Sequence, residues 1–162
     1  MNSTTDKDNC VPIAKAMAAV TKRYVGVLRS KMKNTEDADK YYYALFMIGN
    51  AKEVMNQNDL ACAISQDKVS VVRIVDHLLS KKLIVRTVDE ADRRKYNLSL
   101  AEKGQKLYPK IKTALEETNK ECLKGLSDEQ IKNFLHCVQV MQNNLDQLPA
   151  EHIKLKFSNH SK

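Results

Sequence analysis

The 162-residue sequence is short of glycine and proline, with four and three respectively, and contains no glycine-rich stretch able to cradle a phosphate. A nucleotide-binding loop is thereby excluded. Its four cysteines, Cys10, Cys62, Cys122 and Cys137, stand far apart, with no C-x-x-C pair and no histidines at matching spacing. No metal site is expected, and reduced thiols are. Neither a nucleophile elbow nor a catalytic pair of carboxylates is legible, so we expect no enzyme and no cofactor. The longest apolar run, Tyr41 to Ile48, is far too short to cross a bilayer. The opening MNSTTDKDN has neither an apolar core nor a small-residue cleavage site, which leads us to expect a cytoplasmic chain without a membrane partner.

What the sequence has in excess is positive charge: a formal +7 and a pI near 9.2. Its distribution says more than its total. Between Asp67 and Lys112 twelve basic residues face six acidic ones, so this span carries +6 of the +7. Such clustering suits a polyanionic partner, with an acidic protein as the alternative to nucleic acid.

The length suits a single folding unit over 1–162. A first helix is expected over about 11–33, where Ile13, Met17, Val20, Tyr24, Leu28 and Met32 recur every three or four residues. The segment NTEDAD breaks that period and supplies acidic residues to the start of a second helix, Lys40 to Gly49. Asn56 or Asn58 can cap a brief third helix with Leu60, Ala61 and Ile64 on one side. A tight turn at Ser65 and Gln66 leads to a fourth helix, Asp67 to Lys82. There Val71, Ile74, Val75 and Leu78 occupy i, i+3, i+4 and i+7, leaving Lys68, Val69, Ser70, Val72, Arg73 and His77 outward. Leu83 to Val88 and Tyr96 to Leu100 read as strands joined by the charged loop DEADRRK. A fifth helix from Glu102 carries Gly104, Leu107, Ile111, Leu115, Thr118 and Cys122 on one stripe and is interrupted at Gly125. A capping box, Ser127 to Gln130, opens a sixth helix that Pro149 stops. Cys62, Cys122 and Cys137 fall on apolar helical faces and read as core fillers, and His136 beside Cys137 is no catalytic pair, because adjacent helix positions diverge.

The predicted class is mainly α with a small β-hairpin wing, a winged helix-turn-helix with a helical dimerisation region. From Asp67 to Gly104 the order helix, strand, charged turn, strand, helix places two DNA-contacting devices side by side. One is the outward face of the fourth helix. Lys68, Ser70 and Arg73 are polar candidates there, with Arg73 able either to bond guanine or to hold a phosphate. Val69 and Val72 are poor choices for water but can pack on the C5-methyl of thymine, so A·T pairs are expected beneath this helix. The other device is the loop bearing Arg93, Arg94 and Lys95, which can reach the backbone or a narrow minor groove. Without the hairpin beside it, the helix would read simply as a solvated amphipathic face.

Several segments in this order resemble the MarR family of bacterial transcription regulators: LACAI (Leu60 to Ile64), DKVSVVRIVDHL (Asp67 to Leu78), LIVR (Leu83 to Arg86), the triplet Asp92-Arg93-Arg94, and LSLAEKG (Leu98 to Gly104). The resemblance implies a homodimer built from helices over 11–33 and 102–148, with a winged helix-turn-helix lobe over 40–101. It implies that the fourth helix enters the major groove, while Arg94 enters the minor groove, held by the Asp92 carboxylate. Relatives often carry Ser or Thr at Val69 and Val72, glycine at Lys82 and threonine at Ala101. The resemblance also suggests a small aromatic effector near Tyr24, Tyr42, Tyr43 and Phe46, residues that otherwise read, with Tyr41, as packing aromatics. The expected function is a sequence-specific repressor that binds a pseudo-palindromic duplex as a dimer and is relieved by a small molecule. Two alternatives stand beside it. One is a thiol-based redox regulator using Cys10, whose place before the first helix favours the thiolate; the other is a helical module for an acidic protein partner.

Overall fold

A computed structural model of the chain describes residues 13–33, 41–89, 92 and 95–149. The elements run α1 (Ile13–Lys31), α2 (Tyr42–Asn50), β1 (Met55–Asn56), α3 (Gln57–Ala63), α4 (Lys68–Ser80), β2 (Ile84–Val88), β3 (Tyr96–Leu100), α5 (Glu102–Cys122) and α6 (Asp128–Asp146). The chain divides after Cys122 into two compact units. Among the described residues, no helix is long and apolar enough to cross a membrane.

In the first unit, α1 to α5 surround a core whose fully buried members include Leu28, Leu45, Leu60, Val71, Val75, Leu78, Leu83 and Ile111. Each such side chain contributes about 1.5–3 kcal/mol relative to exposure. The four residues expected inside α4, Val71, Ile74, Val75 and Leu78, are all buried. The hairpin has the expected strands, with Ile84 opposite Leu100 and Val88 opposite Tyr96. The sheet has a third member that periodicity does not reveal: β1 pairs antiparallel with β3, giving the order β1-β3-β2. Two residues are too few to show alternation. They become a strand because the chain leaving α2 runs beside Asn97 and Leu98.

Local geometry explains the tight joints. Asn56 is the α3 cap: its side chain accepts from the Asn58 and Asp59 amides, and Asp59 accepts from the Asn56 amide, a closed capping box. Ser65, between α3 and α4, has φ of +50°, and Lys82, at the entry to β2, has φ of +56°. Lys82 thus adopts the left-handed conformation that glycine takes most cheaply. Gly104 is required by packing: a Cβ there would collide with the Leu83 carbonyl oxygen.

Several expectations are corrected. The α1 stripe is covered only at its end, where Tyr24 is half-buried and Leu28 and Met32 are buried, while Ile13, Met17 and Val20 are exposed. Helix α2 begins at Tyr42, not Lys40, with no acidic residue in its first turn; residues 34–40 lie outside the described residues. Cys62, Cys122 and Cys137 are exposed and fill no core of this chain. Cys62 sits beside the Leu60–Ala61 face instead of on it, and Cys122 ends α5 past its last buried residue, Thr118. Ala114 takes a core position on α5 that the stripe omitted.

The second unit is α6. Ser127 and Gln130 close the expected capping box, the Ser127 side chain accepting from the Gln130 amide and the Gln130 side chain from the Ser127 amide. No α6 residue is buried, and Phe134, Leu135 and Leu145 are all more than half exposed.

Candidate nucleic-acid interface

Helices α3 and α4 are joined by a turn in which the Ser65 amide donates to the Cys62 carbonyl and the Gln66 amide to the Ala61 carbonyl. Asp67 then caps α4. Its carboxylate accepts from the Ser70 amide (2.9 Å) and the Ser70 hydroxyl (2.6 Å). The Ser70 hydroxyl, followed by its amide, holds the Asp67 pKa below its ordinary value. One predicted contact is therefore already engaged: a Ser70 hydroxyl bound to the cap donates to a base only by leaving it.

Burying Val71, Ile74, Val75 and Leu78 turns the opposite face of α4 to solvent. Lys68, Val69, Val72 and Arg73 share that exposure, Val69 at 61% and Val72 at 47%. Asp76, one turn beyond Val72, is also exposed. A carboxylate there repels phosphate, which confines a favourable approach to the first two turns of α4. His77, expected to point outward, is instead half-buried, its ring edge-on to Tyr41 at 4.9 Å. The α4 surface thus ends where the helix meets the start of α2.

The wing is organised by a residue that charge patterning does not single out. Asp89 accepts from the Asp92 amide through Oδ1 (2.9 Å) and from the Asn97 side-chain amide through Oδ2 (3.0 Å). Its own amide donates to the Lys95 carbonyl, and the Lys95 amide to the Asp92 carbonyl. The available signal is an aspartate at the entry to a turn, the place where its side chain bonds backbone two or three residues on. Asp92 lies 3.7 Å from the Lys95 ammonium, an exposed pair. Arg94, the predicted minor-groove residue, and Arg93, its predicted DNA-contacting neighbour, lie outside the described residues, as does the predicted redox residue Cys10.

The aromatic candidates divide between α1 and α2. Tyr24 donates to Asn119 Oδ1 (2.7 Å), tying α1 to α5, and its phenol pKa is raised by burial and then by the neighbouring Tyr42 and Cys122. It lines an apolar cleft of about 330 Å³ with Val20, Val27, Thr118 and Cys122. Phe46 is stacked between Tyr43 (6.4 Å) and Tyr108 (6.1 Å), a packing role. Among the described residues, no cluster of three or more His, Cys, Asp or Glu could hold a metal ion.

Residues 38–95 match the MarR family model. Solved structures of the same fold include a Listeria monocytogenes protein assigned to the MarR family and crystallised with a 26mer DNA, at 20% identity and TM-score 0.72, covering 82% of this chain and 87% of that one. The transcriptional regulator SlyA is similar at 20% identity and TM-score 0.69, over 84% of this chain and 95% of its own. BpsR of Bordetella bronchiseptica, whose DNA binding is regulated by 6-hydroxynicotinic acid, is similar at 17% identity and TM-score 0.65, over 80% and 98%. At these identities the likeness establishes the fold, and the match to the MarR family model is confined to residues 38–95, which take in α2 to β2 and end within the wing loop.

Proposed function

We propose that this chain is a sequence-specific, DNA-binding transcription regulator that works as a homodimer in the cytoplasm, and that it represses until a small molecule relieves it. The observation that carries the reading is the α4 surface: two exposed valines flanked by Lys68 and Arg73 on the first turns of a capped helix, beside a wing. Lys68 and Arg73 supply phosphate or guanine contacts, and Val69 and Val72 supply apolar contacts that favour thymine. Lys95, with Arg93 and Arg94, is the wing contribution, and Asp92 its positioning carboxylate. The DNA complex of the similar Listeria protein supports this use of the fold.

Pairing follows from surplus apolar surface. Ile13, Met17 and Val20 on α1, and Phe134, Leu135 and Leu145 on α6, are exposed, and a second copy is the simplest cover. Two α4 helices related by a two-fold axis would then reach successive major grooves about 34–36 Å apart, which calls for an imperfect palindrome. An effector that prefers a different separation lowers affinity by its differential binding to the two separations. The cleft beside Tyr24 is a candidate for it, and BpsR offers a precedent for regulation by a small aromatic acid.

The test is a titration of the purified protein with duplexes from its own promoter across a range of salt, with mass determined by light scattering. We expect a dimer whose log affinity falls steeply with log salt. A monomer, or affinity for an acidic protein with none for duplex DNA, would overturn the proposal.

A further inference from the structure

On the hairpin, Arg86 and Tyr96 are diagonal neighbours on one face of the β2–β3 ladder, and the Arg86 guanidinium carbon lies 4.5 Å above the centre of the Tyr96 ring. Residues that pair directly across the ladder share a face, so Ile84, Leu98 and Leu100 lie on this one as well. Ile84 and Leu98 are buried in the core, whereas Arg86, Val88 and Tyr96 continue the same face outward as exposed residues at the base of the wing. Among the described residues, no carboxylate pairs with Arg86.

Stacking leaves a guanidinium different from a free surface arginine. Held over the ring, it keeps the five N–H donors of its planar fork while fewer rotamers remain to be lost on binding an oxyanion. An exposed cation that meets no carboxylate among the described residues can also exchange condensed counterions for a phosphate. We infer that Arg86, seated on Tyr96, is a backbone-phosphate anchor of the wing, distinct from the α4 contacts and from the loop-tip arginines. The anchor rests on the DNA-binding reading above. Its ligand is a duplex phosphate diester, and its role is to set the height of the wing on the duplex without reading a base.

The experiment measures duplex affinity against salt for the wild-type dimer and for Arg86→Ala, Arg86→Lys and Tyr96→Phe, on promoter DNA and on a scrambled duplex, with thermal melting beside each. For Arg86→Ala we expect binding weakened about tenfold on both duplexes and a salt slope smaller by about 0.9, the loss of one phosphate contact. Arg86→Lys should keep the slope while losing affinity, because the charge stays and the planar fork goes. Tyr96→Phe should match wild type, since the ring alone provides the seat. A stably folded Arg86→Ala, or Arg86→Lys should the alanine variant melt early, that binds both duplexes with wild-type affinity and slope overturns the anchor while leaving the DNA-binding reading intact. If the wild type itself binds neither duplex, it is the broader reading that fails.

Discussion

Replacing Gly104 by alanine sets two well-measured effects against each other. An alanine methyl at this α5 position would collide with the Leu83 carbonyl oxygen, and it would stand 3.0 Å from the Leu83 carbonyl carbon and 3.4 Å from Leu100 Cδ2. Helix propensity favours the substitution by about 1 kcal/mol. Overpacking opposes it by about 1–3 kcal/mol, and the upper figure applies, because the obstacle is backbone that cannot rotate aside. The same carbonyl accepts the Ala101 amide at 3.0 Å, and displacing it weakens that bond by about 1 kcal/mol more. The net is a destabilisation of about 3 kcal/mol, or about 6–12 °C in melting temperature for a chain of this size. Melting followed by circular dichroism at fixed protein concentration measures it, since an oligomer melts in a concentration-dependent way. Gly26→Ala is the matched control: Gly26 is an exposed α1 residue with nothing within 4 Å of where the new methyl would stand, and should gain up to about 1 kcal/mol. If Gly104→Ala melts at or above wild type, propensity outweighs the close approach and the packing argument is wrong.

Three further outcomes are expected. Asp89→Ala removes acceptors for the Asp92 and Asn97 amides, so duplex affinity should fall while the melting temperature changes by no more than about 1–2 kcal/mol equivalent; unaltered affinity in a gel-shift titration would dismiss Asp89 as the organiser of the wing. Asp67 has a folded pKa below its ordinary 3.8, so its contribution is fully present above 3.8 and is lost as pH falls through the lower folded value; Asp67→Asn, which caps without titrating, should lose less stability over that acid range, and parallel melting profiles would count against the capping charge. Val69→Ser with Val72→Ser removes the methyl-to-methyl contacts, so selection of bound duplexes from a random pool should shift away from thymine under α4, and an unchanged base preference would place these valines outside the interface.

The α4 core face, the Ser127 cap and the β2–β3 hairpin depend on residues near each other in the chain, so spacing alone reveals them, whereas for α3 it leaves Asn56 and Asn58 as alternatives that the capping box decides for Asn56. The β1 strand is invisible in sequence because two residues show no period, and Asp89 stands there as one charge among several in a loop. Lys82 illustrates an intermediate case: its departure from the glycine usual in the family marks the turn, and φ of +56° shows what that turn demands. The three helical cysteines are misplaced by sequence patterning because an apolar neighbour along the chain does not say whether another element covers it.

By itself the sequence determined the order of the six helices and the two hairpin strands, the stripe that α4 buries, and the concentration of charge between Asp67 and Lys112, since each follows from side-chain type and local period. Only the tertiary structure decided how far along α1 the stripe is covered, that the Ser70 hydroxyl is held by Asp67, that His77 packs on Tyr41, and that Arg86 rests on Tyr96. The reason is physical: burial and pairing are properties of what lies opposite a residue in space, and a one-dimensional pattern specifies which face is apolar without specifying what comes to meet it.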